Sequence, residues 1–151
     1  MPRALRPSER AVLLAVSDTA SATMAVVLAT WTWSLTAGFG YSAGFVRDQA
    51  WWFIAVPLWV TALSPTRHST IALDLRATAS GLIHAGGVLL VAYLAVFFYV
   101  GSEALPRLVA LYLLWNAAWL TLGGRLLLLW ILTRDSFTRT VLIVGDGPAA
   151  D

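Results

Sequence analysis

The run ASGLIHAGGVLLVAYLAVFFYV, residues 79–100, decides what kind of protein this is. Its 22 residues include no Asp, Glu, Lys or Arg. As a helix it would span roughly 33 Å, close to the hydrocarbon thickness of a bilayer. A helix on the surface of a soluble domain keeps a polar face. Apart from Ser80, His84 and the hydroxyls of Tyr93 and Tyr99, this stretch has nothing with which to build one.

Three further segments are read in the same way. Residues 11–33 form the first span, entered through Ser8-Glu9-Arg10 with Ser8 as the expected N-cap, and closed by Trp31 and Trp33 at the interface. The N-terminal arginines would suit a signal peptide, but Asp18 interrupts the apolar core, so an uncleaved first helix is expected. Residues 49–66 form the second span. At about 1.5 Å per residue it reaches roughly 27 Å, barely enough to cross, and Pro57 should kink it. A re-entrant loop is the alternative there. Residues 79–100 and 108–132 complete four spans, joined by a Gly-rich loop, the polar linker SPTRHSTIALDLRAT and a short turn holding Glu103 and Pro106. The expected fold is an all-α bundle of four transmembrane helices over residues 1–140.

Composition agrees. The chain of 151 residues is 59% hydrophobic and 12% charged, against about 25% charged in soluble domains. It has no cysteine, which excludes disulfides, thiolate metal sites and a cysteine nucleophile. Its ten basic residues are all arginine, so no P-loop or Schiff-base lysine is present. Net charge is only +2, and the arginines are scattered over the loops, which argues against a nucleic-acid surface. They report topology instead. With the N-terminus inside, Arg3, Arg6, Arg10, Arg67, Arg76, Arg134 and Arg139 lie in the cytosol and only Arg47 and Arg107 outside, seven against two. Both termini are therefore expected to be cytosolic, and four crossings satisfy this where three do not.

Few polar side chains fall inside the spans. Asp18 lies about two turns into the first, with Ser21 and Ala22 on its face. It reads either as a proton or ligand site, or as a carboxylate tying this helix to another through Arg125 or His84. His84 reads as a packing residue, with a metal-ligand role as the weaker alternative, and His68 adds no ligand spacing. No metal site is expected. Ala110, Ala117 and Gly124 recur every seven residues and should let a neighbouring helix, or a second copy in a homodimer, approach closely; Asn116 can hydrogen-bond across that contact. Arg125 interrupts the last apolar run. The expectation is that the membrane ends near it, where it snorkels or pairs with anionic lipid, with a substrate-phosphate role as the alternative.

Beyond these spans, Val141-Leu142-Ile143-Val144 reads as a buried strand entering Gly145-x-Gly147-x-x-Ala150. That is the opening of a Rossmann-like nucleotide-binding unit: one glycine for the turn, one for phosphate approach, a small residue for helix packing. Residues 141–151 are expected to be the truncated first strand of such a domain, and Gly145, Gly147 and Ala150 would bind a cofactor only if the unit were complete.

The order of these features resembles the N-terminal region of the large bacterial polyprenyl-phosphate hexose-1-phosphate transferases, which initiate exopolysaccharide, capsule and O-antigen synthesis. The resemblance rests on the Ser8-Glu9-Arg10 entry with Asp18, the linker ending Asp74-Leu75-Arg76, and the Trp-rich fourth helix. From that helix the chain leads through Arg125, Arg134 and Arg139 into TVLIVGDGPAA. It implies a multi-pass anchor in the bacterial cytoplasmic (inner) membrane, beside membrane lipid and undecaprenyl phosphate. It implies transfer of hexose-1-phosphate from a UDP-sugar by a catalytic domain that this chain lacks, so no catalytic residue is carried over and no cofactor is expected here. Magnesium is expected for that missing domain. Two other functions compete: a small four-helix transporter, which would need charges or broken helices converging at mid-membrane, and a membrane sensor or structural subunit. For the transporter Asp18, His84 and Pro57 are too few, and the sensor or subunit does not explain why a Rossmann-like strand begins at residue 141.

Overall fold

The computed structural model describes residues 7–67, 75–100 and 106–132, and the regular structure among these is all helical. The helices are α1 (Pro7–Thr36), α2 (Ala43–Asp48), α3 (Ala55–Ala62), α4 (Leu75–Val100) and α5 (Arg107–Leu132). Two 3₁₀ turns, Ala50–Ile54 and Ser64–Arg67, flank α3. Within α1, α4 and α5, Ala11–Thr36, Arg76–Tyr99 and Arg107–Ile131 are long and apolar enough to cross a membrane. The fourth apolar element, Ala50–Ala62, is shorter. The strand expected at 141–144 and the Gly145, Gly147, Ala150 fingerprint lie outside the described residues, as do His68 and Asp74.

The helices begin and end a little differently from the sequence reading. α1 starts at Pro7, whose missing N–H costs nothing in a first turn, so Ser8 falls inside the helix and not at its cap. It runs a turn past Trp33 to Thr36 and is closed by Gly38 in the left-handed region, φ 74°. Part of the Gly-rich loop forms α2, capped by Ser42, whose side chain accepts from the Phe45 amide at 3.3 Å. The second segment is not one α-helix. A 3₁₀ turn carries the chain to Ile54, and Pro57 then sits in the first turn of α3, where a proline is tolerated. Ile54 and Ala55 keep right-handed helical dihedrals (φ −61°, ψ −26° and φ −63°, ψ −26°), so the switch passes without a break. α4 takes in the last four residues of the expected linker.

Levels along the bundle follow from which residues meet. Ala22 of α1, Ala55 and Trp59 of α3, Leu89 of α4 and Ala117 of α5 converge on one point in the middle. Asp18, Thr78 and Arg125 meet at one end; Trp52 and Tyr93 stack towards the other, with ring centroids 6.4 Å apart. Successive apolar elements α1, α3, α4 and α5 are therefore antiparallel, and the start of α1 and the end of α5 lie together.

Small side chains make this packing close. Ala22, Ala25 and Ala29 line the buried stripe of α1, and Ala110 and Ala117 that of α5. α1 and α5 share the most extensive interface. The outward faces are the reverse of a soluble protein's: Phe98, Tyr99, Ile83 and Trp115 stand exposed, and only 17% of the apolar stretch of α4 and of α5 is buried. Such surface is stable only against lipid. Several hydroxyls on the spans are satisfied by their own helices: Thr30 donates to the Val26 carbonyl at 2.9 Å and Thr61 to that of Pro57 at 2.8 Å.

Candidate functional site

The polar centre of the bundle is an ion pair. Arg125 of α5 donates through Nε to Asp18 Oδ1 at 3.3 Å and through Nη2 to Oδ2 at 3.1 Å. This is the side-on, two-bond geometry in which a planar guanidinium matches a carboxylate. Its Nη1 reaches Thr78 Oγ1 of α4 at 3.5 Å. Asp18 is 1% exposed and Arg125 2%. Asp18 lies seven residues inside the apolar stretch of α1, about 10 Å along its axis, and Arg125 six residues inside that of α5, about 9 Å. Both charges thus lie within the apolar stretches, near one end of the bundle, and an unpaired ion in hydrocarbon costs several kcal/mol.

The backbone brings them together through a close approach of α1 and α5. A Cβ built on Gly124 would stand 2.8 Å from Ser17 Oγ and 3.3 Å from Ser21 Oγ. One turn along, Ser21 Oγ donates to the Leu120 carbonyl at 3.2 Å. Gly124 therefore seats the backbone beside the serines and presents Arg125 to Asp18. Of the seven-residue series, Gly124 and Ala117 meet α1 of the same chain, and Ala110 is buried beside α3 and α4.

Arg125 is thus turned inward, and the expectation that it snorkels or pairs with anionic lipid is corrected: it pairs with Asp18. α5 runs through it unbroken to Leu132, and the guanidinium faces Asp18 and Thr78 and not lipid headgroups. The reason is energetic: an arginine held at this depth by helix packing gains more from a buried carboxylate than from stretching to the interface. His84 takes no part. It lies on the outer face of α4, in a shallow groove with Gly87, Val91 and Ala95. Asn116 is half-buried and makes no side-chain hydrogen bond among the described residues. Among those residues no three His, Cys, Asp or Glu come together to hold a metal ion.

Three contributors escape a reading of the sequence. Thr78 reads as linker, yet it is in the first turn of α4 and 2% exposed. Trp59 Nε1 donates to Thr121 Oγ1 at 3.0 Å, a buried bond joining α3 to α5. Tyr93 carries a buried hydroxyl with no hydrogen-bond partner among the described residues. A tryptophan or tyrosine within an apolar run signals only bulk; its polar tip becomes informative once its neighbours are known.

Three long apolar helices closed on a buried ion pair define a helical membrane protein. Compared with models of protein families, with curated proteins and with solved structures, the chain matches none.

Proposed function

We propose that this chain is the membrane domain of a sugar transferase that moves hexose-1-phosphate from a UDP-sugar to undecaprenyl phosphate, in the bacterial cytoplasmic membrane. The observation that carries the reading is the order of the sequence: apolar helices, then Arg125, Arg134 and Arg139, then TVLIVGDGPAA at 140–150. On this reading the reaction joins the sugar-bearing phosphate of the donor to the lipid phosphate and releases UMP. The chemistry and its magnesium belong to a catalytic domain following this segment, and this domain anchors it beside the lipid acceptor.

The reading also takes the second apolar segment as a fourth crossing, with both termini in the cytosol. Helical backbone continues from Ala50 to Arg67 apart from one turn residue, Leu63, and the 3₁₀ turns rise about 2.0 Å per residue, so the whole reaches roughly 30 Å. Trp52 packs beside Tyr93 and Trp59 beside Thr121, so the element follows the bundle from one end towards the other. A transporter is less well supported. Asp18 and Arg125 neutralise one another out of solvent, and His84 faces away from them.

The test is to read the open frame past the codon for Asp151 and assay membranes holding the whole gene product. UMP release that requires both a UDP-sugar and undecaprenyl phosphate is expected. A stop codon, or an open frame whose product is inactive with every hexose donor, would overturn the proposal and leave a sensor or structural subunit.

A further inference from the structure

The surface between α3, α4 and α5 is indented by an apolar cleft of about 170 Å³. Trp52, Ala55, Leu89 and Leu113 form its buried floor, and Ile54 and Val96 its exposed rim. No residue of α1 lines it, and its rim belongs to the surface that faces hydrocarbon. Arg107 begins α5 one turn above Ala110 of the lining, about 5 Å along the axis. Its guanidinium carbon lies 5.1 Å from the centre of the Phe97 ring, which holds the cation at the end of the bundle. From Phe97 a ladder of rings descends into the cleft, to Tyr93 at 5.8 Å and on to Trp52 at 6.4 Å. Tyr93 belongs to the lining, and its hydroxyl is a buried donor or acceptor without a partner among the described residues.

Together these are a cation at the end of the bundle, a hydrogen-bonding group in the cleft wall and an apolar slot. A glycerophospholipid offers a phosphate, an ester carbonyl and an acyl chain in that order. We propose that the cleft binds one phospholipid of the leaflet at the Arg107 end, with its phosphate on Arg107 and one chain in the slot. Its ester oxygen accepts from Tyr93 when the entering chain spreads the walls. An isoprenoid chain fits the slot but has no carbonyl for Tyr93, so the donor selects an acyl lipid. The inference rests on the membrane embedding of the helices and not on the transferase reading.

The test uses the whole chain in nanodiscs of phosphatidylcholine with a minority of phosphatidylglycerol, with retained lipid weighed by native mass spectrometry. Phosphatidylglycerol should be enriched roughly fivefold over its bulk share, the worth of about one hydrogen bond. Arg107→Gln should erase that preference and Arg107→Lys should keep it. Wild-type protein should prefer diacyl to diether phosphatidylglycerol, and Tyr93→Phe should not distinguish them. Ala92→Phe, which narrows the slot, should lower total retention with helicity unchanged. If that variant does not fold, the Arg107 and Tyr93 variants decide alone. Retained lipid of bulk composition, enrichment that survives Arg107→Gln, or lipid-free dimers with a second copy on this face would each overturn the proposal.

Discussion

At the scale of single residues, the fold turns on Asp18 and Arg125. Each is nearly inaccessible, and each is neutralised by the other. Removing one leaves the other charged in hydrocarbon, so the loss exceeds the worth of the bond itself. Asp18→Ala should destabilise the bundle by about 3 kcal/mol, read from the midpoint of unfolding in mixed micelles. Replacing both charges, Asp18→Leu with Arg125→Leu, should recover most of that loss; a double variant as unstable as the single one would show that the pair itself is needed. Thr78 adds a longer contact of 3.5 Å, and Thr78→Val should cost less than half as much as Asp18→Ala by the same measurement. What sequence reasoning offered here was two alternatives for each charged residue. Spacing along one chain does not say which helices will be neighbours, and only the approach of α1 to α5 showed the tie foreseen for Asp18 and neither of the roles foreseen for Arg125.

At the scale of elements, two contacts set the helix arrangement. The first is the α1–α5 seam at Gly124. Alanine there brings a Cβ within 2.8 Å of Ser17 Oγ, but that hydroxyl can rotate away, and alanine is the better helix former by about 1 kcal/mol. Gly124→Ala should therefore be neutral to within about 1 kcal/mol, while Gly124→Leu, which has no such escape, should cost about 2–3 kcal/mol. Adding Ser17→Gly to the leucine variant should return part of it. A leucine variant as stable as the parent would mean that the seam is looser than 2.8 Å implies. The second contact is the bond from Trp59 to Thr121, which holds the short α3 in place. Trp59→Phe keeps most of the bulk and should cost about 1 kcal/mol through the hydroxyl left buried without its donor. Trp59→Ala opens a cavity and should cost about 3–5 kcal/mol. Equal losses in the two variants would assign the whole effect to the bond.

At the scale of the whole molecule, the question is which ends of the helices share a side. The chain has no cysteine, so single cysteines report without background. Gly40→Cys and Pro106→Cys should react with a membrane-impermeant maleimide in intact cells. Arg67→Cys should react only after permeabilisation. Gly40 and Arg67 reacting from one side would show that the segment between them turns back, and would leave three crossings. Trp33, Phe39 and Phe45 cluster at the end of α1, with centroids 5.4 and 5.6 Å from Trp33, and aromatic rings are enriched where a spanning helix leaves the bilayer.

Much of this protein was determined by local composition. The apolar runs at 11–33, 79–100 and 108–132 dictate long helices and a lipid solvent, because a backbone in hydrocarbon must satisfy its own hydrogen bonds and a run without charge has no other stable place. The series Ala110, Ala117, Gly124 likewise announced a close helix contact. Tertiary structure decided the rest. It turned Arg125 from the headgroups to Asp18, recruited Thr78 from an apparent linker and put His84 on the outside. It also resolved the Pro57 segment into a 3₁₀ turn followed by α3. The physical reason is common to all of these. Secondary structure in a membrane is set by each residue's own transfer energy, whereas the fate of a buried charge depends on what faces it across a helix interface.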